Sequence, residues 1–247
     1  MIPLKTPEEI KIMAEGGRIL AGIMKELVGE VGLGVVTKNL EEKAQDLISK
    51  AGAKSNFLGY DGFPSCLCAS VNDEIVHCAP SDRLLKEGDI VSIDLGILWQ
   101  GFHADMAITM PIGKVSAEAA RLIRVAKKSL KRGIKKAKVG NTFGDVGNTI
   151  QRYVESQGFG VVRELTGHGI GRELHEEPKV LNYGKRREGE KIKEGMVFCI
   201  EPMITAGDWK LKKTDNHCFA TEDGSLSAHF EHMVAITKNG PLVLTNL

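Results

Sequence analysis

The chain lacks most of the features that would place it in a membrane or on a polyanion. No apolar run in its 247 residues is long enough to span a bilayer. Neither sign of charge dominates: 33 Lys and Arg against 32 Asp and Glu leave +1, so no global field draws it to DNA or to a lipid surface. The start is not expected to act as a signal peptide, because it runs straight into a charged helix. No Cys-x-x-Cys pair is present. The five cysteines, Cys66, Cys68, Cys78, Cys199 and Cys218, are odd in number, which predicts reduced thiols in a cytosolic protein. Cys66 and Cys68 then serve as strand filler. Gly167, Gly169 and Gly171 have neither the spacing nor the lysine of a phosphate loop, and no dinucleotide fingerprint follows. Their expected role is to let backbone approach metal and substrate closely. No low-complexity linker divides the chain.

What the chain does contain is a repeat. Lys86-Glu-Gly-Asp-Ile-Val-Ser-Ile-Asp94 returns as Lys193-Glu-Gly-Met-Val-Phe-Cys-Ile-Glu201. Each copy is a turn, an apolar strand and a carboxylate at the strand's end. A second acid-bearing strand follows each copy, with Asp105 inside 102–109 and Glu231 inside 230–237. Acids are rarely buried unless paired or bound to metal. One acid at a strand end is ordinarily solvated, but four at repeat-related positions need another reason.

The helices repeat as well. Thr6-Pro7-Glu8-Glu9 is a helix start, followed at helical spacing by Ile10, Met13, Gly17, Leu20, Ala21, Met24, Leu27 and Val28. Thr37 is expected to cap a second helix through Leu40, Ala44, Leu47 and Ile48, closed by Gly52. Ser116 opens a third with Ile123, Ala126, Leu130, Ile134 and Ala137 on one face, and Thr142 a fourth ending at Gly158. Strands are expected near 66–71, 90–98, 102–110, 160–166, 196–201 and 230–237. Two helix-helix-strand halves, roughly 1–115 and 116–247, predict an α+β domain with helices over a curved antiparallel sheet and a ligand site between the halves.

A hairpin centred between Trp99 and Gln100 makes Asp94 and Asp105 direct cross-strand partners, with Cβ atoms about 5 Å apart. Two bare carboxylates there repel, so one is protonated or a cation lies between them. Glu201 and Glu231 pose the same problem in the other half. His168, in Thr166-Gly-His-Gly-Ile-Gly171, offers a nitrogen ligand. Such a hard, oxygen-rich set suits two divalent ions, Co, Mn, Fe or Zn. A water bridging them loses a proton near neutral pH, which points to metal-assisted hydrolysis.

Six segments carry a family resemblance: Asn72-Asp-Glu-Ile-Val-His77, Ile93-Asp-Leu-Gly96, Gly101-Phe-His-Ala-Asp105, Gly167-His-Gly-Ile-Gly-Arg-Glu-Leu-His-Glu-Glu-Pro178, Ile200-Glu-Pro-Met203 and Phe230-Glu-His232. Together they resemble the type I methionine aminopeptidases, of pita-bread fold, over nearly the whole chain. The resemblance implies one catalytic domain, 1–247, without an N-terminal zinc-finger extension, acting as a monomer in the cytoplasm. It implies removal of the initiator methionine from nascent proteins that have a small second residue. In that family pattern Asp94 binds one metal with both oxygens, Asp105 and Glu231 bridge the pair, and His168 and Glu201 complete the second site. Glu201 also shuttles the proton. His77 contacts the substrate near the scissile amide, and His175 donates to the carbonyl oxygen as it becomes an oxyanion.

The pocket departs from the family. Tyr60, Phe63 and Cys68 fall where the methionine pocket is lined, but Asp61 replaces a histidine, Phe57 a small cysteine, Leu174 a phenylalanine and His217 a tryptophan. Cys78-Ala79 replaces Gly-Ile. An apolar thioether needs only a greasy slot, so these changes are compatible with methionine. Arg121, Arg124, Lys127, Lys128, Lys131, Arg132, Lys135, Lys136 and Lys138 make a basic helix, 121–138, with no acid among them. It is either a ribosomal RNA contact or a solvated face, and the absence of interleaved aromatics favours the latter. Two other functions stay open: an aminopeptidase of the same fold with altered, X-Pro specificity, whose relatives usually carry an extra N-terminal domain, and a non-catalytic pita-bread protein that binds protein or RNA. The latter is expected to lose a ligand, and none is lost.

Overall fold

A computed structural model describes residues 2–214 and 217–246. Helix α1 (Pro7–Glu30) opens with a capping box between Thr6 and Glu9 and has Pro7 in its first turn. Met13, Gly17, Leu20, Ala21, Met24 and Leu27 form its buried seam. Helix α2 (Thr37–Lys50) differs from expectation at its start. Val36 is the N-cap and makes no side-chain cap. Thr37 lies inside the helix; its hydroxyl donates to the Ser81 carbonyl and accepts the Ser81 amide, both at 2.9 Å. The hydroxyl therefore ties the helix to the loop beyond His77 instead of closing a helix end.

Helix α3 (Ala117–Lys136) is capped by Ser116, and α4 (Phe143–Ser156) by a Thr142–Asp145 box. The buried face of α3 is turned from the expected one. Ala119, Leu122, Ala126, Leu130 and Gly133 are buried, whereas Ile123 and Ile134 are half-buried. Gly133 faces Ile150 of α4, and an added Cβ would crowd it, so this glycine allows the two helices to approach closely.

One nine-stranded antiparallel sheet crosses both halves. Its order is Lys54–Ser55, Ile90–Trp99, Phe102–Pro111, Glu231–Thr237, Val197–Ile200, Gly167–Gly169, Glu176–Val180. Leu67–Val71 also pairs with Ile90–Trp99, and Gly240–Val243 with Glu231–Thr237. The halves join where Glu231 pairs with Ala107 and His232 with Met106. Helices α1 and α2 share one core with Leu67, Ile93, Leu95 and Ile97. Helices α3 and α4 share another with Phe198, Ile200, Val234 and Ile236.

The central hairpin turns one residue later than expected. Trp99 pairs with Phe102, leaving Gln100 and Gly101 as a two-residue loop, both at positive φ, as a hairpin turn matched to strand twist requires. Asp94 therefore pairs with Ala107, and Asp105 with Gly96. The two acids are diagonal neighbours, not direct partners. A shift of two in register keeps them on one face.

Several short strands were not anticipated. Met203–Thr205 joins Ser227–His229 and also Gly160–Val161, which is all that forms of the strand expected near 160–166, and Phe219–Thr221 joins Leu211–Lys213 and Glu74–Val76. Two or three residues carry too little alternation to register as a period. The cysteine expectation is also corrected: Cys78 and Cys218, 140 residues apart, are disulfide-bonded, and Cys66, Cys68 and Cys199 are buried free thiols. Spacing alone does not reveal a partner that the fold supplies. Among the described residues no helix is long and apolar enough to cross a membrane.

Candidate active site

Antiparallel pairing lays one row of side chains across the sheet. Cys68 pairs with Asp94, Asp94 with Ala107, and Ala107 with Glu231. Glu201 follows Ile200, the partner of His232, and so extends the row. Directly paired residues share a face. Asp105, two residues before Ala107 on the same strand, projects on that face too. The methyl group of Ala107 leaves room between the acids. Carboxylate oxygens of Asp94, Asp105 and Glu231 all lie within 4.8 Å of one another, and His168, Cys199 and Glu231 form an overlapping group. His168 comes from Gly167–Gly169, beside Val197–Ile200, and its Nε2 is 3.5 Å from Glu201 Oε1.

These acids are buried without satisfaction. Asp94 Oδ1, Asp105 Oδ1, Glu201 Oε1 and Glu231 Oε1 have no hydrogen-bond partner among the described residues. An orphaned buried carboxylate oxygen is costly, and four aimed at one volume fit divalent cations. Burial pushes all four carboxyls up. Asp94 is pushed to about 7 by burial, against the opposing effect of a hydrogen bond with Asp105. Asp105 is raised further by Glu231 and Asp94, Glu201 by Asp94 and Asp105, and Glu231 by Glu201 and Asp94. Burial and then the nearby His175 drive His168 down to about 3. Its imidazole is thus neutral. With Nδ1–H donated to the Gly169 carbonyl at 2.9 Å, the Nε2 lone pair faces the acids, as a metal ligand requires.

The acids sit in a cleft of about 780 Å³ whose walls include Phe57, Tyr60, Phe63, Cys68, His77, Leu174, His175 and His217. Every site residue expected from the sequence lines this cleft, together with Asp94, Asp105, His168, Glu201 and Glu231.

A model of metallopeptidase family M24 matches residues 11–238. The chain belongs to metallopeptidase family M24. The methionine aminopeptidase of Clostridium acetobutylicum is 46% identical over 247 residues, covering 99% of each chain. The crystal structure of methionine aminopeptidase from Rickettsia prowazekii superposes with a TM-score of 0.98 at 37% identity, covering 100% of both chains. A prolidase from Pyrococcus furiosus shares the fold alone, with a TM-score of 0.80 and 24% identity, covering 99% of this chain and 65% of that one. The fold is the pita-bread fold of that family, a pseudo-twofold arrangement of helices over a curved antiparallel sheet.

In this M24 metallopeptidase two of the pocket histidines, His77 and His175, are pushed toward the neutral form. Burial, then His175, His217 and Lys213, lower His77 to about 4. Burial also lowers His175, though Asp61 opposes it. The Tyr60 hydroxyl lies 2.7 Å from His175 Nδ1. Burial and the nearby Asp61 and Glu173 raise the Tyr60 phenol, so it keeps its proton and donates, leaving His175 with Nε2–H. Asp61, His77 and His217 all have left-handed backbone, with φ of 45°, 58° and 67°. Non-glycine residues accept that conformation only where their surroundings impose it, and such strain gathers at working sites.

Two of the site glycines make room for protein backbone. A Cβ on Gly167 would strike the Cys199 carbonyl, and one on Gly169 the Glu177 carbonyl. They admit neighbouring strands. One site neighbour had no counterpart in the sequence reading. His229 is buried, with Nε2 3.8 Å from Glu201 Oε2 and neither ring nitrogen hydrogen-bonded among the described residues. The repeat carried a signal for it: His229 precedes Glu231 by two residues, as His103 precedes Asp105.

Proposed function

We propose that this M24 peptidase is a methionine aminopeptidase that removes the initiator methionine from new proteins with a small second residue, working as a monomer in the cytoplasm with two divalent ions (Co, Mn, Fe or Zn). One observation carries this reading: four buried, unsatisfied carboxylates and a neutral His168 at the floor of a cleft with apolar walls. Asp94, Asp105, His168, Glu201 and Glu231 would hold the ions. When bound, such ions supply Lewis acidity and a nucleophile from water at neutral pH. Glu201 takes the proton of the attacking water at a carboxylate oxygen and passes it to the leaving amine. His175 donates Nε2–H to the carbonyl oxygen as charge develops there. His77 orients the scissile amide. Phe57, Tyr60, Phe63, Cys68 and His217 enclose the thioether, for which aromatic edges and a thiol suffice. Burial, then Asp94 and Asp105, hold the Cys68 thiol protonated, so it offers no competing anion.

Protein loaded with Mn or Co is expected to cleave Met-Ala and Met-Gly peptides and to leave X-Pro peptides intact. His77→Ala and His175→Ala each lower kcat/KM by about 10²–10³ while metal content, measured by elemental analysis, stays at the wild-type value. Cleavage of X-Pro peptides in preference to Met-Ala would replace this reading with the proline-specific one. Absence of both bound metal and hydrolysis would favour a binding protein.

A second observation concerns partners. Lys128, Arg132 and Lys136 of α3, Arg152 of α4 and Arg186 line a groove of about 620 Å³ that contains no acid, and among the described residues none of the five lies in an ion pair. Tyr153 lies beneath Lys128 and Arg132, 5.6 and 4.3 Å from its ring centre. The aromatic absent from the basic helix is thus supplied by its neighbour. We infer a contact with the phosphate backbone of ribosomal RNA. Charge reversal by K128E, R132E and R152E is expected to abolish retention on ribosomes at low salt. It should also flatten the salt dependence of RNA binding by about two units of slope, with cleavage of short peptides unchanged. Equal binding by variant and wild type would leave the groove a solvated face.

A further inference from the structure

The disulfide joins two segments that end at the substrate cleft. Cys78 directly follows His77, and Cys218 directly follows His217; both histidines line the cleft. Cys218 leads into Phe219–Thr221, the middle strand of the small sheet. Phe219 pairs there with Val76, and the register slips just after it. Leu211–Lys213 is the outer edge of that sheet and, among the described residues, pairs only with Phe219–Thr221. The hairpin of Leu211–Lys213 and Phe219–Thr221 meets the body of the protein through the pairing with Glu74–Val76, through the Thr221 amide on the Asp73 carbonyl, and through Leu211 and Phe219 packed against Ile75, Val76, Val162 and Met203, and Lys213, His217 and Phe219 all face the cleft. The bond adds a covalent tie to these contacts. The Ala69 amide donates to the Cys78 carbonyl at 2.8 Å, and the Thr214 amide to the Cys218 carbonyl at 2.8 Å. The body holds Cys78, Cys78 holds Cys218, and Cys218 holds the hairpin. His77 and His217 are the two left-handed residues on either side of this link, and each is fixed by a covalent neighbour.

We propose that Cys78 and Cys218 are a reversible thiol–disulfide site that sets how firmly His77 and His217 are held at the cleft, and through them the affinity for peptide. The substrate named here rests on the aminopeptidase reading. In a reducing compartment a disulfide is a switching element more often than a staple. The exchange balances with a low-molecular-weight disulfide such as oxidised glutathione. One cysteine thiolate attacks it, forming a mixed disulfide and expelling one glutathione thiolate. The second cysteine thiolate then attacks the mixed disulfide, closing the protein bond and expelling the other. Two protein thiols are oxidised, and one oxidised glutathione becomes two reduced ones. Cys78 and Cys218 are 4% and 7% exposed, so exchange proceeds when the hairpin swings out.

The test uses metal-loaded protein equilibrated with reduced or oxidised glutathione and then desalted. Intact mass is expected to differ by two hydrogen masses between the two states. Reduction should speed amide hydrogen exchange in 74–79 and in the Leu211–Thr221 hairpin. If the reduced hairpin holds the binding geometry a tenth to a third of the time, KM for a Met-Ala peptide rises about three- to tenfold, with kcat within about twofold and metal content unchanged. A Cys78→Ser, Cys218→Ser double variant should match the reduced enzyme and ignore glutathione. The proposal is overturned if the bond neither opens nor forms in native protein, or if it opens with KM unmoved. Failure to cleave any methionine peptide in either state would remove the aminopeptidase reading instead. Hydrogen exchange then decides the redox site alone: faster exchange on reduction supports it, and unchanged exchange removes it.

Discussion

Asp105→Ala is expected to lower kcat/KM on a Met-Ala peptide by at least about a thousandfold, equivalent to ~4 kcal/mol of barrier. Asp105 lies between Asp94 and Glu231, within reach of both, so its loss opens any site those acids share. Metal content measured on the same sample should fall with the activity. Asp105→Asn separates this from simple unfolding. It keeps the volume, removes a carboxyl that burial and its acidic neighbours make costly to ionise, and gives neighbouring carboxylates an amide donor. Metal-stripped Asp105→Asn should therefore melt a few degrees above metal-stripped wild type at pH 8, reflecting about 1–3 kcal/mol of relieved burial cost. An Asn variant that melts lower when stripped, or an Ala variant that keeps both metal and activity, would mean that these acids do not crowd one cation site.

Metal-stripped protein is expected to lose stability as pH rises from about 6.5 to 8.5, and added Mn or Co to reverse the trend. The sign follows from two opposing groups. Asp94, Asp105, Glu201 and Glu231 are raised by burial. Each contributes stability that is full below its unfolded pKa and lost as pH climbs through the folded one, which for Asp94 is about 7. His77 and His232 fall to about 4, and His168 and His229 to about 3, chiefly through burial. Their contribution is full above the unfolded histidine range and lost as pH falls toward those values. Below about pH 6.5 the two sets oppose each other; above it only the acids act. One uncompensated proton gives a slope of about 1.4 kcal/mol per pH unit, and two give twice that. Ligation needs deprotonated acids, so metal stabilisation should grow with pH, reaching about 2.7 kcal/mol at a hundredfold excess over Kd. Thermal melts across this range, with and without metal, provide the check. A flat stripped profile, or a metal shift independent of pH, would contradict it.

Much of the site was legible because buried charge is expensive. An acid inside an apolar strand needs a reason, and a repeat that supplies four such acids makes the reason shared. Thr6 with the acids behind it, and Thr142 at the start of α4, were equally legible, because a cap is built within four residues. Thr37 was misread for the same local reason: a hydroxyl near a helix start resembles a cap unless Ser81 is known to lie beside it. The hairpin register was off by two because Gln100, not only Gly101, adopts positive φ. The alternation of faces survived that error, so the acids still converge. The basic stripe on α3 was visible, but Tyr153 beneath it belongs to α4.

By itself the sequence determined the helix frame and the acid-bearing strands, since each depends on neighbours a few residues away. Tertiary structure alone decided that Cys68, Asp94, Ala107, Glu231 and Glu201 form one row, that His229 reaches Glu201, and that Cys78 meets Cys218. Those contacts join residues up to 140 positions apart. Strand pairing across the two halves brings them together, and no local preference in the chain encodes it.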